Sequence, residues 1–151
     1  MEFVNEMRLV FPALPENEAF ARLAVSGFIL PLDPTMEALA DVKTAVSEAV
    51  TNAIVHAYPR GSGTVRLWAR YSADGLIEVD VSDRGRGIED VERARQPCFT
   101  TGEDEERSGM GFTVMESFMD RVVVRSAPGK GTTVRLYKRL QPRDEAVPRR
   151  A

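Results

Sequence analysis

Polar and apolar positions change period several times along the chain, and the changes mark its elements. Residues 8 to 14, RLVFPAL, read as a strand stopped by Pro15. From Glu16 to Phe28 the spacing is that of a helix, with Phe20, Leu23, Ala24 and Phe28 expected on its core side. Pro31 and Pro34 break this helix. Thr35 is then placed to cap a long helix that starts at Met36, has Asp33, Pro34 and Glu37 near its amino end, and runs to about Ala57 before Pro59 and Gly61. At about 100° per residue, its Leu39, Val42, Val46, Val50, Ala53 and Ala57 fall in a stripe roughly 80° wide, a core-facing pattern. Residues 63 to 72 and 76 to 82 alternate with period two around a hairpin turn at Ala73-Asp74-Gly75. A short helix over 110–118 and strands over 121–126 and 132–138, joined by Pro128-Gly129-Lys130-Gly131, complete the chain. The order β, α, α, β, β, loop, α, β, β predicts an α/β fold, an α+β two-layer sandwich in which a mixed sheet carries helices on one face.

Some polar residues have no place in this scheme. Glu48, Asn52 and His56 recur one turn apart on the long helix, outside its apolar stripe. The second hairpin strand runs into Asp83-Arg84-Gly85-Arg86-Gly87, a carboxylate at a strand end followed by two glycines that let backbone approach a flat polar group such as an adenine amine; the same pattern also serves as a simple turn. Ser108-Gly109-Met110-Gly111-Phe112 opens a helix after the polar stretch 100–108. A helix amino end there offers unpaired N–H groups, worth about 0.3 to 1 kcal/mol per phosphate charge, or else a hinge.

With 151 residues, 43% hydrophobic and 28% charged, the chain suits one domain, expected over 1–140, with a Pro- and Arg-rich tail over 141–151 expected to be disordered. The net charge of -3 leaves no basic footprint for direct nucleic-acid binding. Cys98 alone makes no internal disulfide, and no apolar run reaches membrane length, so a cytoplasmic protein is expected. Cys98 reads as a small packed residue and His56 as a helix-end side chain.

Taken in order, Glu48 and Asn52 on a helix, DRGRG after a strand, a polar lid, SGMGF at a helix start and GKGTT before the last strand resemble the Bergerat-type ATP-binding fold. That GHKL group is shared by gyrase, heat-shock chaperone, histidine-kinase and mismatch-repair ATPases. The segments NEAFAR (17–22), LDPTMEAL (32–39), VSEAVTNAIVHAY (46–58), EDVERARQPCFTT (89–101) and ERSGMGFTVMESFMD (106–120) resemble the anti-sigma F factors, a family of small serine kinases of spore-forming bacteria that also sequester a sigma factor. The likeness covers residues 7 to about 140.

The resemblance implies ATP or ADP and Mg²⁺ as cofactors. It makes Glu48 the general base and Asn52 a nucleotide-site residue that gives an oxygen to Mg²⁺. It makes Asp83 the acceptor of the adenine amine, supported by Thr132, with Gly85 and Gly87 allowing close approach. Thr100, Thr101, Arg107, Ser108, Gly109, Met110 and Gly111 would wrap the phosphates, and Arg22 would contact both protein partners. The implied partners are sigma F, an anti-anti-sigma protein phosphorylated on serine and a second copy in a homodimer, in the control of sporulation transcription. A stress-response-type anti-sigma kinase and a nucleotide-dependent sigma-binding module without kinase activity are the alternatives. A sensor histidine kinase is disfavoured because the single His56 lies inside the Asn-bearing helix. Arg84 and Arg86 depart from the acidic or neutral residues that many relatives carry in that turn.

Overall fold

The period-two segment in mid-chain builds the centre of the sheet. In the computed structural model, which describes residues 2–59, 62–96 and 111–141, strands β2 (Thr64–Ser72) and β3 (Leu76–Asp83) pair as an antiparallel hairpin. Gly75 takes the positive φ of 94° that its turn requires. On the far side β3 pairs with β5 (Gly131–Arg139), which returns from β4 (Arg121–Ala127), while β1 (Phe3–Pro12) adds to β2. The order is β1-β2-β3-β5-β4, and all four ladders are antiparallel where a mixed sheet was expected. The two-layer α/β architecture is as expected.

One face of the sheet is apolar. Leu9, Leu67, Val81, Val134 and Val124 lie in register across it, with Met7, Ala69, Val79, Leu136 and Val122 as the next row. Helices α1 (Glu16–Ile29), α2 (Met36–Val55) and α4 (Gly111–Phe118) cover this face and share its core. The other face is polar. Arg70 bonds Glu78 through two nitrogens and Arg135 bonds Asp80 likewise, which satisfies carboxylates that are otherwise buried. Arg8, Trp68, Arg70 and Phe3 stack beside them as cation–π neighbours.

Helix α2 begins at the expected cap: the Ala38 N–H donates to Thr35 Oγ1 at 3.1 Å. Its buried set is wider than the expected stripe, because Ala45, Ala49 and Ile54 are covered as well as Val42, Val46, Val50 and Ala53. The helix is flanked by α1 and α4 as well as the sheet, so small residues at its sides are also enclosed.

Helix α1 corrects an expectation. Ala21, Val25 and Ile29 form its core stripe, whereas Phe20 and Leu23, expected inside, are 55% and 61% exposed. The i, i+4, i+8 row of Ala21, Val25 and Ile29 faces the core that α1 shares with α2, and Phe20 and Leu23, off that row, turn outward. Strand β1 also begins five residues earlier than its apolar pattern suggested, since as an edge strand it leaves Val4, Asn5 and Glu6 exposed. A single-turn helix, α3 (Val91–Ala94), was not expected. Asp90 caps it, accepting the Arg93 N–H at 3.1 Å.

Candidate functional site

Strand parity decides where Asp83 points. Ile77, Val79 and Val81 face the helices, so Asp83, two residues on, lies on the same face just beyond the last buried row. It sits in register with Thr132 on β5. Asp83 Oδ1 accepts the Gly85 N–H at 2.9 Å and the Thr132 N–H at 3.2 Å. Among the described residues Oδ2 receives no hydrogen bond, so one lone-pair face of the carboxylate remains available to a donor. Burial pushes the Asp83 pKa above its ordinary value, and the two backbone N–H bonds pull it back only in part.

The glycine turn is wedged between two elements. A β-carbon on Gly85 would lie 2.2 Å from the Ala57 carbonyl oxygen, and one on Gly87 2.0 Å from that of Ala127. Gly87 also has a φ of 75°, which an L side chain rarely adopts. The Arg86 N–H donates to Ala57 O at 2.9 Å, and the Gly129 N–H to Arg86 O at 2.7 Å. Tyr58 adds a latch, its hydroxyl accepting from the Arg84 N–H at 2.8 Å and donating to Thr64 O at 2.9 Å. The end of α2 is thereby tied to the loop that follows β3.

Earlier along α2, Glu48 and Asn52 are half-buried and aim at the amino end of α4. A β-carbon on Gly111 would lie 3.1 Å from Asn52 Nδ2, 3.4 Å from Asn52 Oδ1 and 3.4 Å from Glu48 Oε2. A carboxylate, an amide and the first residue of a helix therefore meet at one point. This juxtaposition suits a phosphate-bearing ligand with a hard cation: N–H groups at a helix start for the anion, an amide oxygen for the metal and a carboxylate beside them. Among the described residues no group of three or more His, Cys, Asp or Glu forms a metal cluster. A cation at Asn52 would take its remaining ligands from waters and phosphate oxygens.

The structure thus brings together Glu48, Asn52 and Gly111, and separately Asp83, Gly85, Gly87 and Thr132, with α2 and the residues that follow it touching both groups. Arg22 lies apart on α1, half-buried and 3.6 Å from Glu18. Glu18 also lines a cleft of about 210 Å³ with Pro15, Thr51, Ile54 and Val55. His56 follows the last turn of α2, where its N–H donates to Asn52 O. Thr100, Thr101, Arg107, Ser108, Gly109, Met110 and Cys98 lie outside the described residues. Sequence reasoning missed Tyr58 and Ser126. Tyr58 had a signal, an aromatic hydroxyl between the helix and Pro59, whereas Ser126 had none until strand register was known.

Residues 11–138 match the histidine kinase-like ATPase domain family, and the chain belongs to it. Fold comparison agrees. The structure containing the RsbU and RsbW domains of a Mycobacterium tuberculosis protein superposes with a TM-score of 0.66 at 20% identity, covering 91% of this chain and 33% of that one. The blue-light activated histidine kinase of Erythrobacter litoralis gives 0.57 at 27% identity, covering 74% and 33%. Within the family the chain is most informatively compared with proteins named anti-sigma F factor. That of Caldanaerobacter subterraneus is 55% identical over 91% of this chain and 96% of its own length, and that of Geobacillus kaustophilus 53% over 90% and 93%.

Proposed function

We propose that the chain is an anti-sigma factor that sequesters sigma F and, using ATP and Mg²⁺, phosphorylates a serine of an anti-anti-sigma protein. The observation that carries this reading is the convergence of Glu48 and Asn52 on Gly111, one turn apart on α2 and facing the start of α4. A passive binding surface has no need of a carboxylate at that point.

When bound, ATP would supply the phosphoryl group and Mg²⁺ the charge neutralisation for its transfer. Glu48 Oε2 takes the proton of the incoming serine hydroxyl. Asn52 Oδ1 serves as the protein's oxygen ligand to the metal. Asp83 Oδ2 accepts from the adenine amine, Thr132 supports that contact, and Gly85 and Gly87 let the turn close against Ala57 and Ala127 so that its backbone comes near the base. Thr100, Thr101, Arg107, Ser108, Gly109, Met110 and Gly111 hold the phosphates in this reading, on the strength of the family resemblance.

Partner binding falls to α1. The Arg22 side chain is 39% exposed beside its ion-pair partner Glu18, and Phe20 and Leu23 are exposed on the same helix, a mixture that suits a protein surface. The anti-sigma F factor relatives support sigma F as one partner. Nucleotide state selects between the two partners, which requires that each bind the ATP and ADP forms unequally. The protein works in the cytoplasm as a homodimer built through the sheet. Among the described residues no helix is long and apolar enough to cross a membrane.

The test is to incubate the protein with labelled ATP, Mg²⁺ and the candidate anti-anti-sigma protein and to map the label. Phosphoserine on the partner is the expected result. A stable sigma complex with bound nucleotide and no transfer would replace this reading with that of a nucleotide-dependent binding module.

A further inference from the structure

Ser126 stands at the meeting point of three segments around Asp83. It lies on β4 directly opposite Thr132 on β5. Its hydroxyl accepts the Ile88 N–H at 2.7 Å, contacts the Gly131 carbonyl at 3.0 Å as donor, and lies 2.7 Å from Thr132 Oγ1. Thr132 in turn donates its backbone N–H to Asp83 Oδ1. Ser126 therefore ties the glycine loop, through Ile88, to the strand that holds the Asp83 carboxylate in place.

A serine hydroxyl has one proton. The geometry admits either hydroxyl as donor in the short contact, but the Gly131 carbonyl can only accept, and with the Ser126 proton placed on it the contact is made by the Thr132 proton. With its proton spent on Ser126, Thr132 Oγ1 can turn only lone pairs toward the pocket. Asp83 Oδ2 beside it is also an acceptor. Two acceptors aimed at position 6 are met by the two N–H protons of a 6-amino group, whereas a 6-oxo group presents only lone pairs there and leaves its N1–H to reach at most one of them.

We infer that Ser126 is a positioning residue that sets the selectivity of the pocket for 6-amino over 6-oxo purine nucleotides by locking the Thr132 hydroxyl as an acceptor. This rests on the reading of the Asp83 pocket as the adenine site. Removing the Ser126 hydroxyl frees the Thr132 proton to rotate inward and donate to a 6-oxo group. Discrimination then falls by about fivefold, the worth of one ordinary hydrogen bond. Loosening of the Ile88 loop lowers both affinities together and leaves their ratio unchanged.

The experiment measures dissociation constants of the Mg²⁺ complexes of ATP and inosine triphosphate by calorimetry, after thermal melts show that each variant is folded. Ser126→Ala should lower the ATP preference about fivefold, Ser126→Thr should restore it, and Ser126→Ala in a Thr132→Val background should change it no further. A parallel loss of both affinities in Ser126→Ala, with the ratio intact, would overturn the inference. Thr132→Val alone provides an independent arm: loss of an acceptor lowers the ATP preference, whereas a rise would show that Thr132 donates in the wild type and would overturn it too. If the wild-type protein takes up neither nucleotide, the adenine-site reading itself fails, an outcome separate from a failure of Ser126.

Discussion

Asp83 is asked to be both buried and ionised. Burial raises its pKa above the ordinary 3.8. The folded state therefore holds this proton more readily than the unfolded chain, so the group's contribution to stability is greatest at low pH and declines as pH rises from 3.8 through the raised value. Acceptance of an amine needs the charged form, so adenine-nucleotide affinity should fall as pH drops through the same window. Asp83→Asn should remove that pH dependence from the melting temperature of the ligand-free protein and weaken adenine-nucleotide binding about 10- to 100-fold, the range for a hydrogen bond to a charged group. A titration of melting temperature and affinity against pH checks both. Glu48 is argued differently, from geometry alone. Glu48→Gln keeps the volume and the neighbours at Gly111, so it should bind ATP like the wild type yet transfer phosphate about 10²- to 10⁴-fold more slowly; single-turnover assays with labelled ATP would reveal wild-type rates if the assignment is wrong. Of these residues, Glu48, Asn52 and Asp83 were legible because each breaks a pattern: two polar positions on an apolar helix, a carboxylate at the end of an apolar strand. Ser126 breaks none. Its meaning comes from facing Thr132 across a ladder whose register no local signal states.

Among the elements, those governed by short-range chemistry were readable. The Thr35 cap, the Ala73-Asp74-Gly75 turn and the two strand periods each depend on neighbours within a few residues. The orientation of α1 depends on what it packs against, and there the largest apolar side chains misled. Ile29 is fully buried and Leu23 mostly exposed, although both are apolar residues of one helix. Ile29→Ala should therefore destabilise the protein by about 2–5 kcal/mol, while Leu23→Ala should stay within about 0.5 kcal/mol and instead weaken capture of the sigma factor. Chemical denaturation of the two variants, with binding measured alongside, distinguishes a core position from a contact position. Single-turn α3 was missed because four residues are too few for periodicity to register, and only Asp90 announces it.

For the molecule as a whole, the two faces of the sheet divide the work. The apolar face, under α1, α2 and α4, positions Asp83 and presents α2 as the wall of the candidate site. The polar face holds Glu78 and Asp80 inside a web of arginines, an arrangement that leaves Trp68, Arg8 and Arg70 stacked at its surface. If a second copy covers this face, light scattering should give twice 16.7 kDa, and Trp68→Asp should return the single-chain mass. The most direct test of the central claim is isothermal titration of the folded protein with ATP in the presence and absence of Mg²⁺, with Asn52→Ala beside the wild type. The account predicts saturable, magnesium-strengthened binding that loses its magnesium dependence in Asn52→Ala. No heat of binding to the wild-type protein under either condition would contradict it.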